Sequence, residues 1–399
     1  MLTRFRSSSG KEWAATMASL ITEDLSQPGT HALVIGVSAY EFLLGSQNCS
    51  LQGQEFGIGQ LSAAARSASE FAAWLMEDYS RSSLPLRSLR VLLSPSPDET
   101  IAPSIHALLK GNWKATRQNV EAMFSEFRDA AASQEDNIAI VYVVGHGVQF
   151  SKNGAVLLLN DFADPQHRYA TYTGAVDMKM MHDAMNHEET AQTQFWFVDV
   201  CRDVPADVER YDVLAGVMGG NVSRAGSAKT SPLFLSASSG QGAFASKDKL
   251  TLFCDALMSG LKEGHAARSE GERNSPWRVS VNTLVEYLPA AVQSLANAAG
   301  EVQQVECTGK ITNAIFHECS KPPDVDLTIS IRSGFNSANY TANLKHRGAL
   351  LYANHSAWPL TARVRAGLYT IEVTTLTPPD KDEDCLNLQP PSNEKVLPL

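Results

Sequence analysis

No stretch of this 399-residue sequence approaches the roughly 20 consecutive apolar residues that a helix needs to cross a bilayer. The chain also lacks a basic cluster. Lys and Arg number 33 against 43 Asp and Glu, for a net charge of −10, which argues against nucleic acid or an anionic membrane as the main partner. Cysteine is sparse: Cys49, Cys201, Cys254, Cys307, Cys319 and Cys385 are scattered with no CxxC pair. His317, flanked by Cys307 and Cys319, lacks zinc-finger spacing, so no metal is expected there. Reduced thiols in a cytoplasm are the simplest account of such usage. There is no internal repeat, and 44% hydrophobic residues give no compositional case for disorder.

What the sequence does have is two continuous apolar runs, NIAIVYVVGHG over Asn137–Gly147 and TQFWFVDVCRD over Thr193–Asp203. Such runs are the pattern of strands buried on both faces of a parallel sheet. Each ends in a reactive side chain, His146 in one and Cys201 in the other. Sites in open parallel sheets gather beyond the carboxyl ends of the strands. If the two strands are neighbours, a thiol and an imidazole share one rim.

Around them the order alternates. Strands are expected at His31–Val37, Ser88–Leu93, Ala155–Leu159 and Pro232–Ala237. Helices are expected at Ala64–Tyr79, Asn119–Ala132, Val176–Met185 and Leu250–Leu261, with another marked by Val281, Leu284, Leu288, Val292 and Leu295. That alternation reads as a doubly wound α/β domain over 30–321. Residues 1–29 read as a leader, with a short amphipathic helix over Trp13–Ile21. Beyond Lys321-Pro322-Pro323 the pattern changes to alternation without helices, as in Leu327, Ile329, Ile331 and Tyr369, Ile371, Val373. Residues 322–399 are therefore expected to form a small antiparallel β-domain, sandwich-like, with a flexible tail from Pro378.

A thiolate attacks carbonyl carbon far better than a thiol, and an adjacent imidazole both favours it and protonates the departing amine. Gly145 and Gly147 flank His146 and are read as clearing space for an incoming backbone. The N–H groups of Gly147 and Cys201 are the candidate oxyanion donors. Taken singly, a cysteine after a buried strand is more often a small core residue, and a lone histidine more often structural.

The segments YVVGHGVQ (142–149) and VDVCRD (198–203) together resemble the histidine and cysteine motifs of the caspase-like cysteine peptidases, particularly bacterial caspase homologues and metacaspases. The segment LSASSGQGAF (235–244) resembles the one that helps form the substrate groove in that family. The resemblance covers about 30–320, and the 55 positions between His146 and Cys201 match the family's separation of about 50. It implies a caspase-like, mostly parallel sheet sandwiched by helices, and an endopeptidase with Cys201 as nucleophile and His146 as acid–base. It further implies that Asp199 lines the S1 pocket and selects Arg or Lys at P1, with Ser236 and Ser238 beside the substrate. Metacaspases usually add a second acid at the start of the first helix. Here Arg66 and Ser67 stand in that stretch, with Glu70 close. Arg202, shared by many bacterial members, reads as a solvated side chain.

No cofactor is expected. Calcium activation is conceivable through Asp161 and Asp164, but no dense carboxylate cluster resembles a calcium loop. Residues 204–231 read as a mobile linker in which Arg210, Arg224 and Lys229 are candidate self-cleavage positions. The expected partners are a protein or peptide substrate and a small-molecule or protein activator read by the C-terminal β-domain. Such gating would suit regulated cell death or antiviral defence in bacteria. A catalytically silent scaffold or sensor on the same fold is the alternative.

Overall fold

A computed structural model describes residues 19–22, 24–149, 154–167, 170–186, 190–202, 230–245, 249–271 and 275–397. The linker positions Arg210, Arg224 and Lys229 lie outside them. The chain resolves into two compact units, 1–255 with 289–312, and 256–288 with 313–399.

In chain order the first unit begins with β1 (Ser19–Thr22), β2 (Thr30–Val37), α1 (Leu51–Glu55), α2 (Ala64–Glu77), β3 (Leu86–Ser94), α3 (Pro103–Leu108) and α4 (Arg117–Ala131). It continues with β4 (Ile138–Gly145), β5 (Gly147–Val148), β6 (Val156–Leu158), β7 (Ala175–Asp177), α5 (Met178–Met185), β8 (Thr193–Val200) and β9 (Ser231–Leu235). Next along the chain come α6 (Leu252–Lys262) and α7 (Val281–Ala299), each divided between the two units, β10 (Trp277–Ser280) of the second unit, and β11 (Glu306–Lys310) of the first. The main sheet has the order β1-β3-β2-β4-β8-β9-β11. Its five inner strands run parallel, and β1 and β11 close the two edges antiparallel.

The apolar runs form strands because both faces are covered. Ala139, Val141 and Val143 of β4 and Trp196, Val198 and Val200 of β8 join one core cluster with Val120, Met123, Phe124 and Phe127 of α4. The alternate residues turn toward α2, where the Phe71 ring meets those of Tyr142 and Phe197 at 4.8 and 6.0 Å. The helix can come this close at β2 because Gly36 lacks a side chain: a Cβ there would stand 2.5 Å from that of Ala68.

One local expectation changes. Ser19–Thr22, placed in a leader helix by sequence, is an edge strand on β3, and the rest of that stretch lies outside the described residues. The loop after β2 contains a one-turn helix, α1, started by Ser50, whose Oγ accepts the Gly53 N–H.

The second unit carries β10 and β12 (Ile315–Cys319) as an antiparallel pair. It continues with β13 (Asp324–Ile331), β14 (Tyr340–His346), β15 (Ala349–His355), β16 (Leu360–Arg365), β17 (Gly367–Leu376), β18 (Pro379–Leu388) and β19 (Ser392–Leu397). These make sheets of order β16-β13-β19 and β15-β14-β17-β18. The alternation seen in sequence is real: Val325, Leu327 and Ile329 are buried on β13, and Tyr369, Ile371 and Val373 on β17. The expected flexible tail is instead two strands. β18 pairs with β17 along its whole length, and β19 runs parallel to β13. Backbone ladders and a few buried leucines hold them despite polar composition.

Candidate functional site

Strands β4 and β8 pair in register up to Gly145 opposite Val200. The next residues are His146 and Cys201, and strand alternation puts both on the α2 side, beyond Tyr142 and Phe197. The sheet order also reverses direction between β2 and β4, so the loop after β2 meets the end of β4 at a topological switch point. Two groups from that loop hold the histidine. The His146 N–H donates to Tyr40 Oη at 2.7 Å, and its Nε2 lies 2.8 Å from the Gly59 carbonyl oxygen. A carbonyl only accepts, so Nε2 carries the hydrogen and Nδ1 keeps the lone pair. Burial lowers the imidazole pKa from 6.5, while the Gly59 bond opposes that shift. The resting ring is therefore biased toward the neutral, basic form.

Gly147 stands where the ends of β4 and β8 come together. A Cβ there would lie 2.5 Å from the Cys201 carbonyl oxygen and 2.6 Å from Val200 Cβ, so glycine lets the two strand ends approach. Leu158 donates to the His146 carbonyl, and Val148 faces Val156 in the β5–β6 ladder. By antiparallel alternation Gly147 is then a position whose N–H is not used by that ladder. Cys201 is half-buried. Its thiol contacts the Ala243 carbonyl at 3.6 Å, and the Ala243 N–H donates to Sγ at 3.2 Å.

The segment 236–244 that lies along the cysteine is clamped by three side chains. Gln149 donates to Ser239 Oγ and accepts the Gly240 N–H. Gln303 accepts the Phe244 N–H and donates to the Ser236 carbonyl. Arg202 is fully buried, donates to the Ala237 carbonyl and pairs with Glu306 of β11. The solvated Arg202 expected from sequence is thus a buried strut, its charge met by an acid 104 positions away.

Asp199 is 1% exposed and faces hydroxyls rather than cations: Tyr142 Oη donates at 3.2 Å, and Thr251 Oγ1 also donates. The nearby Ser236 also favours its charged form. Desolvation outweighs these bonds and raises the carboxyl to about 6, and its Oδ1 is buried without a partner among the described residues. Ser236 itself is fully buried and its Oγ approaches the Val200 carbonyl, whereas Ser238 is half-exposed and donates to the Gln304 carbonyl. At the start of α2, where an acid was sought near Arg66, Ser67 and Glu70, Glu99 arrives from the loop after β3. It accepts the Arg66 N–H at 2.8 Å and the Ser38 hydroxyl at 3.0 Å.

Asp161 and Asp164 are occupied by the chain itself. Both Asp161 oxygens accept the Arg117 N–H at the start of α4, and Asp164 accepts the Gln166 N–H. Among the described residues, no group of three or more His, Cys, Asp or Glu side chains is arranged to hold a metal ion. No helix is long and apolar enough to cross a membrane among those residues.

Several of these groups carry no readable signal in sequence. Gly59 acts through its carbonyl and Ala243 through its peptide, and Glu99 and Glu306 are single acids in polar stretches. Tyr40 and Gln149 are close enough to β2 and His146 to have been singled out.

Residues 30–308 match the family model described as the caspase domain. Among solved structures the chain is similar to caspase-1 from Spodoptera frugiperda, at 10% identity over 74% of this chain and 92% of that one, with a TM-score of 0.41. No curated protein matches it. With that match spanning well over half of its length, the chain belongs to the caspase-domain family of cysteine peptidases.

Proposed function

We propose that this chain is an endopeptidase in which Cys201 attacks the scissile carbonyl and His146 moves the protons. The observation that carries the reading is the β4–β8 register, which ends both strands side by side at the imidazole and the thiol. His146 Nδ1, left basic by the Nε2–Gly59 bond, takes the thiol proton as sulfur bonds to the carbonyl carbon. The oxyanion is held by the N–H groups of Gly147 and Cys201. Collapse breaks the C–N bond, and the imidazolium gives its proton to the departing amine. Water, deprotonated by His146, then attacks the thioester and the thiol is restored. Nothing in this scheme calls for a metal or another cofactor.

Basic residues at P1 fit best. A desolvated carboxylate with an unpartnered oxygen and no cation nearby gains most when a guanidinium or ammonium arrives. Asp199 is that acid. Six unpaired thiols suit a reducing cytoplasm. A peptidase there needs restraint, so we place it, on family resemblance, under an activating signal in bacterial cell death or antiviral defence.

The test is cleavage of a P1-diverse fluorogenic peptide library by wild type and Cys201→Ala, with and without cell extract. Cleavage after Arg or Lys that vanishes in the variant is expected. Cleavage after other residues would retain the chemistry and overturn the Asp199 specificity. Silence in every condition would point to a scaffold.

A further inference from the structure

The second unit contains a cavity of ≈ 800 Å³ built without any residue of the proposed catalytic machinery. Its walls come from five places: β10 with the stretch before it, the end of β12 with the stretch after it, the β14–β15 turn, the turn between β16 and β17, and the end of β18. They bring Lys321, Arg347 and Arg365 around one concavity, together with Trp277, His346 and Gln389. Among the described residues that line it, none is acidic. In a chain of net charge −10 such a collection is unusual.

The cations are unequally compensated. Arg365 pairs with Asp324 at 3.0 Å and donates to the Pro322 carbonyl. Lys321 and Arg347 have no ion pair or hydrogen bond among the described residues. Arg347 also holds φ at 50°, in the left-handed region that Gly or Asn adopts at lower cost. A two-residue hairpin loop requires such a φ, and it carries Arg347 to the cavity lining. The other lining groups suit an aromatic moiety. Trp277 is mostly buried and is one of the residues that line the cavity. The His346 ring is set by a contact with Tyr369 at 4.5 Å and by an Nδ1 bond to the Leu368 carbonyl. Gln389 supplies an amide for hydrogen bonding.

We propose that this cavity binds a small aromatic organic phosphate of nucleotide size. The phosphates face Lys321, Arg347 and Arg365, and the ring packs against Trp277 and His346. A concave site lined by one sign of charge attracts such a ligand over distance, and guanidinium groups meet phosphate in bidentate geometry. The volume falls within the usual range for small-molecule sites. The inference stands whether or not the first unit cleaves peptides.

The experiment is isothermal titration calorimetry on the full-length chain carrying Cys201→Ala, with ATP, inorganic pyrophosphate and adenosine as probes. ATP should bind most tightly and adenosine least. The Lys321→Glu/Arg347→Glu double variant should weaken ATP by about tenfold or more with an unchanged melting temperature, since neither side chain is part of the core. Arg347→Gln provides a milder second variant and should weaken ATP in the same direction. Absence of heat with both ATP and pyrophosphate at about 10 mM would overturn the proposal. So would ATP binding that is indifferent to both variants. Pyrophosphate binding as tight as ATP, or adenosine binding as tight as ATP, would overturn the aromatic and anionic halves respectively.

Discussion

Each unit keeps a carboxylate with little exposed surface on a strand, and the pKa values of the two are shifted in opposite directions. Asp199 of β8 is desolvated among the hydroxyls of Tyr142, Thr251 and Ser236, and its pKa rises to about 6. Glu372 of β17 sits between Lys345 and Lys381, with Asn343 donating as well, and its pKa falls to about 2. Hydroxyl donors do not offset the loss of water around the Asp199 charge, whereas at Glu372 the lysine and Asn343 hydrogen bonds outweigh any desolvation. The second unit therefore spends its buried acid on structure. The first holds one at a cost to stability, two positions before the cysteine, as the proposed S1 acid would be.

Arg202 offers the widest break in that comparison, being a buried cation whose acid partner, Glu306, is 35% exposed. Arg202→Ala should cost about 3 kcal/mol in urea unfolding, the low end for a broken buried pair because Glu306 reaches water. It should also abolish activity by releasing the segment at Ala237. Arg202→Met, which keeps the volume, should restore part of the stability and none of the activity.

Asp199→Asn sharpens the contrast. The raised pKa means the protonated carboxyl is the form that the fold accepts. Its stability is intact below the unfolded value of 3.8 and is lost as pH climbs through about 6. The neutral amide should thus raise stability near pH 8 by at most about 3 kcal/mol, with no gain near pH 4. Cleavage after basic residues should disappear. Loss of stability at both pH values would contradict the unpaired-acid reading.

Tyr40→Phe comes next. It removes the acceptor of the His146 N–H and should cost about 1–2 kcal/mol, with a lower kcat and little change in KM. Glu372→Gln is the smallest. It should lower the melting temperature slightly at neutral pH, and the deficit should close as pH falls toward about 2, where the native glutamate also loses its charge.

What the sequence could convey follows from the same physics. Runs such as IAIVYVV and FWFV have one stable setting, a strand covered on both faces, so the sheet and its two reactive ends were legible. The alternation of β13 and β17 was equally clear. β18 and β19 read as a loose tail in sequence because the stretch from Pro378 is rich in Pro, Asp and Asn. Their pairing is carried by backbone hydrogen bonds, which leave no mark on side-chain composition. The proposed catalytic side chains could be named from two motifs, but their supports could not. The Gly59 carbonyl and the Ala243 peptide are invisible to any residue code. Arg202 looks solvated until its partner, far along the chain, is folded beside it.

The central claim is that His146 and Cys201 act as a pair, and peptide-electrophile labelling tests it most directly. The wild-type chain and His146→Ala would be treated with an acyloxymethyl ketone bearing a basic P1 residue, and each of the six cysteines followed by mass spectrometry against pH. We expect Cys201 to react far faster than exposed Cys385, to lose that advantage in His146→Ala, and to slow only as pH drops through a value below about 6.5, in keeping with the lowered imidazole. Labelling of Cys201 that matches Cys385, or that persists unchanged without the imidazole, would contradict the pairing.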